Sequence, residues 1–103
     1  MKILLPTLKK VLEDLRKRYA KNDSQEVFVL KQLAKLNEET GEVAEAILAE
    51  LGAQRSSKDK EYDVGSELAD VIVVAVLLGL TLDIDMYKKI VDKLETIKAR
   101  ASK

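Results

Sequence analysis

The sequence predicts an all-α protein, a bundle of four to five helices that assembles into an oligomer. Apolar residues recur at helical spacing in several segments of the chain. The composition is 47% hydrophobic but only 4% aromatic, so the core must be built mainly from Leu, Ile, Val and Ala, which suits packed helices. At 103 residues the chain fits one compact domain, residues 1–103.

A first amphipathic helix is predicted after Pro6, the only proline. Proline suits the first helical turn because its missing N–H needs no partner there. Asn22, Asp23 and Ser24 should end this helix. The apolar face that it presents consists of Leu8, Val11, Leu12, Leu15 and Tyr19.

A second helix is predicted from about Gln25 to Leu51, with Asp23 or Ser24 as its N-cap and Gly52 as its stop. Gly41 lies inside it and costs about 1 kcal/mol relative to alanine. We therefore expect a neighbouring helix or a ligand to approach Gly41 closely. The apolar stripe consists of Leu30, Leu33, Val43, Ala44, Ile47, Leu48 and Leu51.

A third helix should begin at about Glu61, after a polar linker over 52–60. It is apolar on every face over 71–78; the β-branched run allows a strand, but its length favours a helix. Such a helix needs partners on all sides, so we predict a homo-oligomer, either a dimer or a tetramer. The apolar run over 71–82 is shorter than the roughly 20 residues of a membrane span, so no membrane is expected.

A fourth helix is predicted after a turn over 79–85, with Asp83 or Asp85 as its cap. Its apolar residues recur every three or four positions, which indicates one inward face. This face consists of Met86, Ile90, Leu94, Ile97 and Ala101.

The charge balance and the residue types present exclude several classes of function. The chain has 18 basic and 18 acidic residues, so it lacks the broad positive field of a nucleic-acid-binding protein. It has neither cysteine nor histidine, which excludes disulfides, thiolate chemistry and imidazole bases and fits a cytoplasmic location. Its chemistry must use carboxylates, Lys, Arg, Tyr or Ser.

Two acidic motifs can supply metal ligands. Glu39 and Glu42 are three residues apart, as are Glu67 and Asp70, so each pair projects to one side of a helix. Two such pairs on facing helices offer four oxygen ligands, which Mg²⁺ prefers. The first motif alone would usually be a solvated face. Asp70 opens the most apolar helix, where a buried carboxylate is unfavourable unless it is paired or binds a metal.

The double motif, from Lys35 to Ile47 and from Glu67 to Ile72, resembles MazG-like nucleoside triphosphate pyrophosphohydrolases, over roughly Phe28 to Arg100. The resemblance implies cleavage of (d)NTPs to monophosphates and pyrophosphate in nucleotide-pool house-cleaning, with Mg²⁺ as the cofactor and Mn²⁺ as a substitute. It implies that the metal ligands are Glu39, Glu42, Glu67 and Asp70.

The resemblance also implies roles for residues beside the metal. Glu38 matches the additional acid of the motif and would orient or deprotonate the attacking water. Lys93 and Arg100 match the basic residues of the family's C-terminal segment and would bind phosphate. Ile97 stands where that segment often has asparagine, which leaves base and sugar contacts open. Lys35, one turn before Glu39, is a further candidate for phosphate binding.

Three other functions stay open. Phosphoribosyl-ATP pyrophosphohydrolase has related motifs, but its typical Tyr-His after the second motif is replaced here by Val71-Ile72. A dUTP- or dCTP-directed pyrophosphatase shares the metal motif and differs mainly at base-contacting residues. A non-catalytic helical oligomerisation or regulatory module would use the acidic residues as surface charge or to bind a structural metal.

Overall fold

The computed structural model describes residues 2–52 and 63–102. Four helices occupy these ranges: α1 (Leu5–Tyr19), α2 (Gln25–Glu50), α3 (Val64–Thr81) and α4 (Met86–Ala101). The all-α prediction is confirmed for this part of the chain. The predicted start of the third helix at Glu61, and most of the predicted linker, lie outside the described residues.

Three helices begin at a residue whose side chain accepts a hydrogen bond from a backbone N–H of the first turn. Ser24 accepts a hydrogen bond from the Val27 N–H at 3.2 Å, so Ser24 rather than Asp23 caps α2. Asp85 accepts from the Lys88 N–H at 3.1 Å and caps α4. Asp63, which the sequence did not single out, caps α3 by accepting from Ser66.

The helix ends differ at one point from the prediction. Gly52 has a φ of 72° and follows the last turn of α2, as expected for a glycine stop. Gly79, in contrast, was predicted to open the turn but lies buried inside α3. The reason is a close contact with Met86, which occupies the space where a side chain at position 79 would be. Gly79 thus makes room for Met86 rather than ending the helix, and α3 continues to Thr81.

α2 and α3 form the main helical pair, and they run antiparallel. At one end, the Gln25 side-chain amide donates to the Thr81 carbonyl at 2.9 Å. Near the other end, Glu39 of α2 lies beside Glu67 and Asp70 of α3. The hydrophobic core lies where α1 crosses α3. Its buried members are Leu8, Val76 and Leu77, with Leu12, Leu15, Leu80 and Met86 packed against them.

The predicted apolar stripe of α2 faces mostly away from α3. Leu30, Leu33 and Leu48 are exposed, whereas Phe28, Glu39 and Ala46 are the buried residues of this helix. Helical periodicity identifies such an apolar face but does not say which neighbour covers it. No helix of the single chain approaches Gly41, since no described atom lies within 4 Å of the position that a Cβ would occupy there, so the approach of a ligand stays a prediction.

α4 contributes no buried residue, so the predicted inward face is wrong within the single chain. Met86 packs against the core, but Leu94 and Ile97 are 59% and 52% exposed. The contact between α4 and α3 is limited, so the later turns of α4 lie apart from the core. Tyr19, expected to complete the apolar face of α1, is also exposed.

α3 carries much apolar surface outward. Ile72 is 62% exposed, and Leu68 and Val73 are exposed as well. The helix is long and apolar enough to cross a membrane by length and composition, a property that core helices of soluble proteins share. The outward faces of α2, α3 and α4 together leave a large apolar area uncovered in the single chain.

Candidate metal centre

Three carboxylates from two helices converge on one point. Glu39 comes from α2, and Glu67 and Asp70 come from the first two turns of α3. One oxygen from each lies within 4.8 Å of the others. The antiparallel pairing of α2 and α3 brings Glu39 beside the first turns of α3. The three-residue spacing of Glu67 and Asp70 places both on nearly the same side of α3.

The burial of these oxygens fits a cation. Glu39 is only 5% exposed. The Oε2 atoms of Glu39 and Glu67 are buried and have no hydrogen-bond partner among the described residues. A buried carboxylate oxygen without a partner is unfavourable, and a hard divalent cation would satisfy both atoms at once. The residues present therefore fit a magnesium-type ion.

The structure corrects the reasoning about which acid is buried. The sequence placed Asp70 in apolar surroundings because its helix is the most apolar in the chain. Asp70 is in fact exposed, and the buried carboxylate is Glu39. Asp70 lies at the exposed side of the cluster, in the second turn of α3.

Glu42, the fourth predicted ligand, lies one turn after Glu39 and interacts with Glu67. Partial burial raises the pKa of Glu42 above its usual value, and the negative charge of Glu39 raises it further. A hydrogen bond between Glu42 and Glu67 acts in the same direction, since it requires a shared proton. Negative charges are thus crowded in this cluster, and a bound cation would reduce the repulsion between them.

Lys35 is the positive group beside the cluster. Its Nζ lies 3.0 Å from Glu39 Oε1 and 3.6 Å from Glu38 Oε1. The hydrogen bond to Glu39 raises the pKa of Lys35 above its ordinary value, so the lysine is charged at neutral pH. Glu38 itself is 60% exposed and lies at the edge of the cluster, as its neighbouring position on the helix requires.

Lys93 and Arg100 lie on α4, and both are exposed. They are seven residues apart and therefore share one face of the helix. In the first turn of α4, Met86 lies against Gly79 of α3. The single chain does not join either residue to the carboxylate cluster by an ion pair among the described residues.

Comparison with known families agrees with this geometry. The family model of the MazG nucleotide pyrophosphohydrolase domain matches residues 29–101, which include all of the carboxylates described above. The chain belongs to the MazG family. The MazG match covers most of α2 and all of α3 and α4, whereas α1 lies before it. No curated protein and no solved structure is significantly similar to the chain.

The family supports a nucleotide pyrophosphohydrolase activity. Two cavities, of about 370 and 410 Å³, lie at the other end of α3, around Leu12 and Leu80. No carboxylate of the cluster lines either cavity. The convergent carboxylates, rather than the cavities, form the candidate site, because such a cluster could hold a divalent cation whereas cavity size alone provides no chemistry.

One polar group on the same face of α2 was missed by the sequence reasoning. The Gln32 side-chain oxygen is buried and has no hydrogen-bond partner among the described residues. Gln32 precedes Glu39 by seven residues, so the two lie on one side of the helix. Its helical spacing from Glu39 was the available signal, but a glutamine in a helix has too many ordinary roles to be singled out by spacing alone.

Proposed function

We propose that this MazG protein is a Mg²⁺-dependent nucleoside triphosphate pyrophosphohydrolase, which converts a (d)NTP and water to a (d)NMP and pyrophosphate. The observation that supports this most directly is the convergence of Glu39, Glu67 and Asp70 from two antiparallel helices in a chain of the MazG family. A role in clearing nucleotide pools in the cytoplasm fits such an activity. Neither nucleic acid nor a membrane is needed for it.

Glu39, Glu42, Glu67 and Asp70 are proposed to hold the metal. The unpartnered oxygens of Glu39 and Glu67 point to direct ligation, and the crowded charge at Glu42 points to the same ion. Bound Mg²⁺, or Mn²⁺ in its place, would neutralise phosphate charge and lower the pKa of a bound water. All four residues offer only oxygen ligands, which matches the preference of these ions.

Glu38 is proposed to act on the attacking water. It lies beside the buried Glu39 yet is exposed, so its carboxylate can accept a proton at the edge of the site. Attack at the α-phosphorus displaces pyrophosphate, whose developing negative charge needs positive groups nearby. We assign this role to Lys35 on α2, and to Lys93 and Arg100 on α4.

The protein is proposed to work as a homo-oligomer, either a dimer or a tetramer. The outward apolar residues of α3 and α4, such as Ile72 and Leu94, would be covered by other subunits. Such packing would also fix the position of α4, which makes few contacts in the single chain. Lys93 and Arg100 would then reach phosphate in the assembled protein.

A pyrophosphate-release assay tests the proposal. Purified protein is incubated with each of the standard ribo- and deoxyribonucleoside triphosphates and with dUTP, in Mg²⁺ or in chelator. Matching amounts of monophosphate and pyrophosphate, formed only with Mg²⁺, are expected. Asp70→Asn should abolish turnover, whereas Glu95→Gln on the exposed face of α4 should not. Turnover that persists in Asp70→Asn, or in chelator, would contradict the assignment.

A further inference from the structure

The ion pair between Lys35 and Glu39 joins an exposed, flexible side chain to a buried one. The Glu39 side chain is 6% exposed, whereas that of Lys35 is 52% exposed. Lysine reaches Glu39 from one helical turn earlier, through a flexible four-carbon stem. The carboxylate therefore keeps its place if the pair breaks, while the ammonium can move into solvent or to another anion.

The Lys35 ammonium lies against a carboxylate of the candidate metal site. It lies 3.0 Å from Oε1 of Glu39, whose Oε2 is buried without a hydrogen bond. In the free protein the lysine thus supplies positive charge to a cluster of like-charged acids. A divalent cation on the same carboxylate would repel the ammonium, because both are positive and only a few ångströms apart.

We propose that Lys35 is an exchangeable counter-cation of the carboxylate cluster. It neutralises Glu39 in the metal-free protein, leaves Glu39 when that carboxylate ligates a divalent ion, and then pairs with the phosphates of the nucleotide. The last step rests on the proposed function, whereas the first two depend only on the metal site. Lys35 would therefore weaken binding of the metal alone and strengthen binding of the nucleotide that accompanies it.

A charge-removing substitution separates this role from a structural one. Lys35→Met keeps the apolar length of the side chain and removes its charge. Lys35→Arg keeps the charge. Lys31→Met is a matched control on the same helix, since Lys31 pairs with Asp23 at 2.6 Å and not with the cluster. Mn²⁺ affinity is measured by electron paramagnetic resonance and calorimetry without nucleotide. Affinity for an NTP analogue that resists α,β-cleavage is then measured at saturating Mn²⁺.

Lys35→Met is expected to bind Mn²⁺ about three- to tenfold more tightly, as removal of one nearby charge at the protein surface predicts. The same variant should bind the analogue about tenfold more weakly. Lys35→Arg and Lys31→Met should stay within about twofold of the unsubstituted protein in both measurements. A lysine that only positions Glu39 would instead weaken Mn²⁺ binding when it is removed.

Unchanged or weaker Mn²⁺ binding by Lys35→Met would overturn the counter-cation role. Tighter Mn²⁺ binding with unchanged analogue binding would overturn the transfer to phosphate. These results are distinct from failure of the proposed function, which would appear as an unsubstituted protein that binds Mn²⁺ but hydrolyses no nucleotide. An unsubstituted protein that binds no Mn²⁺ would contradict both proposals.

Discussion

The substitution Glu39→Gln tests the centre of the site with little change in shape. Glutamine has nearly the size of glutamate but no charge. Glu39 is the buried acid of the cluster, and its Oε2 has no hydrogen-bond partner among the described residues. Loss of one buried member of a charged contact typically weakens binding by 2–5 kcal/mol. A loss of about 2.7 kcal/mol, near the lower end of this range, corresponds to roughly 100-fold weaker metal binding.

The consequence can be measured as a shift in stability. At a metal concentration about 100 times the dissociation constant, binding to the native state stabilises it by about 2.7 kcal/mol. With affinity reduced roughly 100-fold, the same concentration stabilises Glu39→Gln by only about 0.4 kcal/mol. Without metal, the variant should remain folded, because the loss of the ion pair with Lys35 is offset by the loss of repulsion between Glu39 and Glu42.

Urea unfolding with Mg²⁺ and with chelator provides the assay. Glu50→Gln is the matched control, because Glu50 is exposed on the same helix, eleven residues after Glu39. The control should keep the full stabilisation by Mg²⁺. An equal Mg²⁺ effect in Glu39→Gln and in the unsubstituted protein would refute the assignment of Glu39 as a ligand. A variant unfolded without metal would refute the electrostatic reasoning.

Three further predictions follow from single contacts. The raised pKa of Glu42 favours its protonated form in the native state, so in chelator the contribution of Glu42 to stability should fall as pH rises from about 4.5 toward neutrality. In urea titrations at several pH values, Glu42→Gln should therefore lose less stability over this range than the unsubstituted protein does, and parallel pH profiles would contradict the reasoning. Gly79→Ala should destabilise the protein by about 1–3 kcal/mol in urea unfolding, because the new methyl group would clash with Met86. Gly41→Ala, which has open space around it, should instead stabilise the protein by about 1 kcal/mol. A Gly79→Ala variant more stable than Gly41→Ala would contradict the close contact between Gly79 and Met86. Ile72→Asp should leave the fold intact and yield monomers by sedimentation velocity, and an unsubstituted protein that is already monomeric would contradict the oligomer.

The sequence predicted where the helices begin better than it predicted how they pack against each other. Helix starts follow from local chemistry, and Ser24 and Asp85 were among the predicted caps because a short polar side chain before a helix satisfies a free N–H. The end of α3 could not be predicted in the same way. Glycine usually marks a helix end, but Gly79 is required by Met86, a contact that depends on how α4 folds back.

The convergence of the acidic residues could be predicted in part because their spacing follows the helical period. The spacing of Glu67 and Asp70 fixes them on one side of α3 whatever the neighbours are, and the structure places Glu39 opposite. Burial was not predictable, because it depends on tertiary packing. The apolar character of α3 suggested a buried Asp70, yet the buried acid belongs to α2, where α3 covers it.

The two sides of α2 give a physical reason to expect an oligomer in a protein with this acidic cluster. The side toward α3 carries Glu39 and Glu42, whose charges oppose close packing of the two helices. The other side exposes leucines such as Leu30 and Leu33. A chain of 103 residues has few other apolar contacts with which to offset the repulsion. Burial of the outer leucines by a second subunit would stabilise α2 without changing its acidic side, so the site can remain charged and ready for a cation.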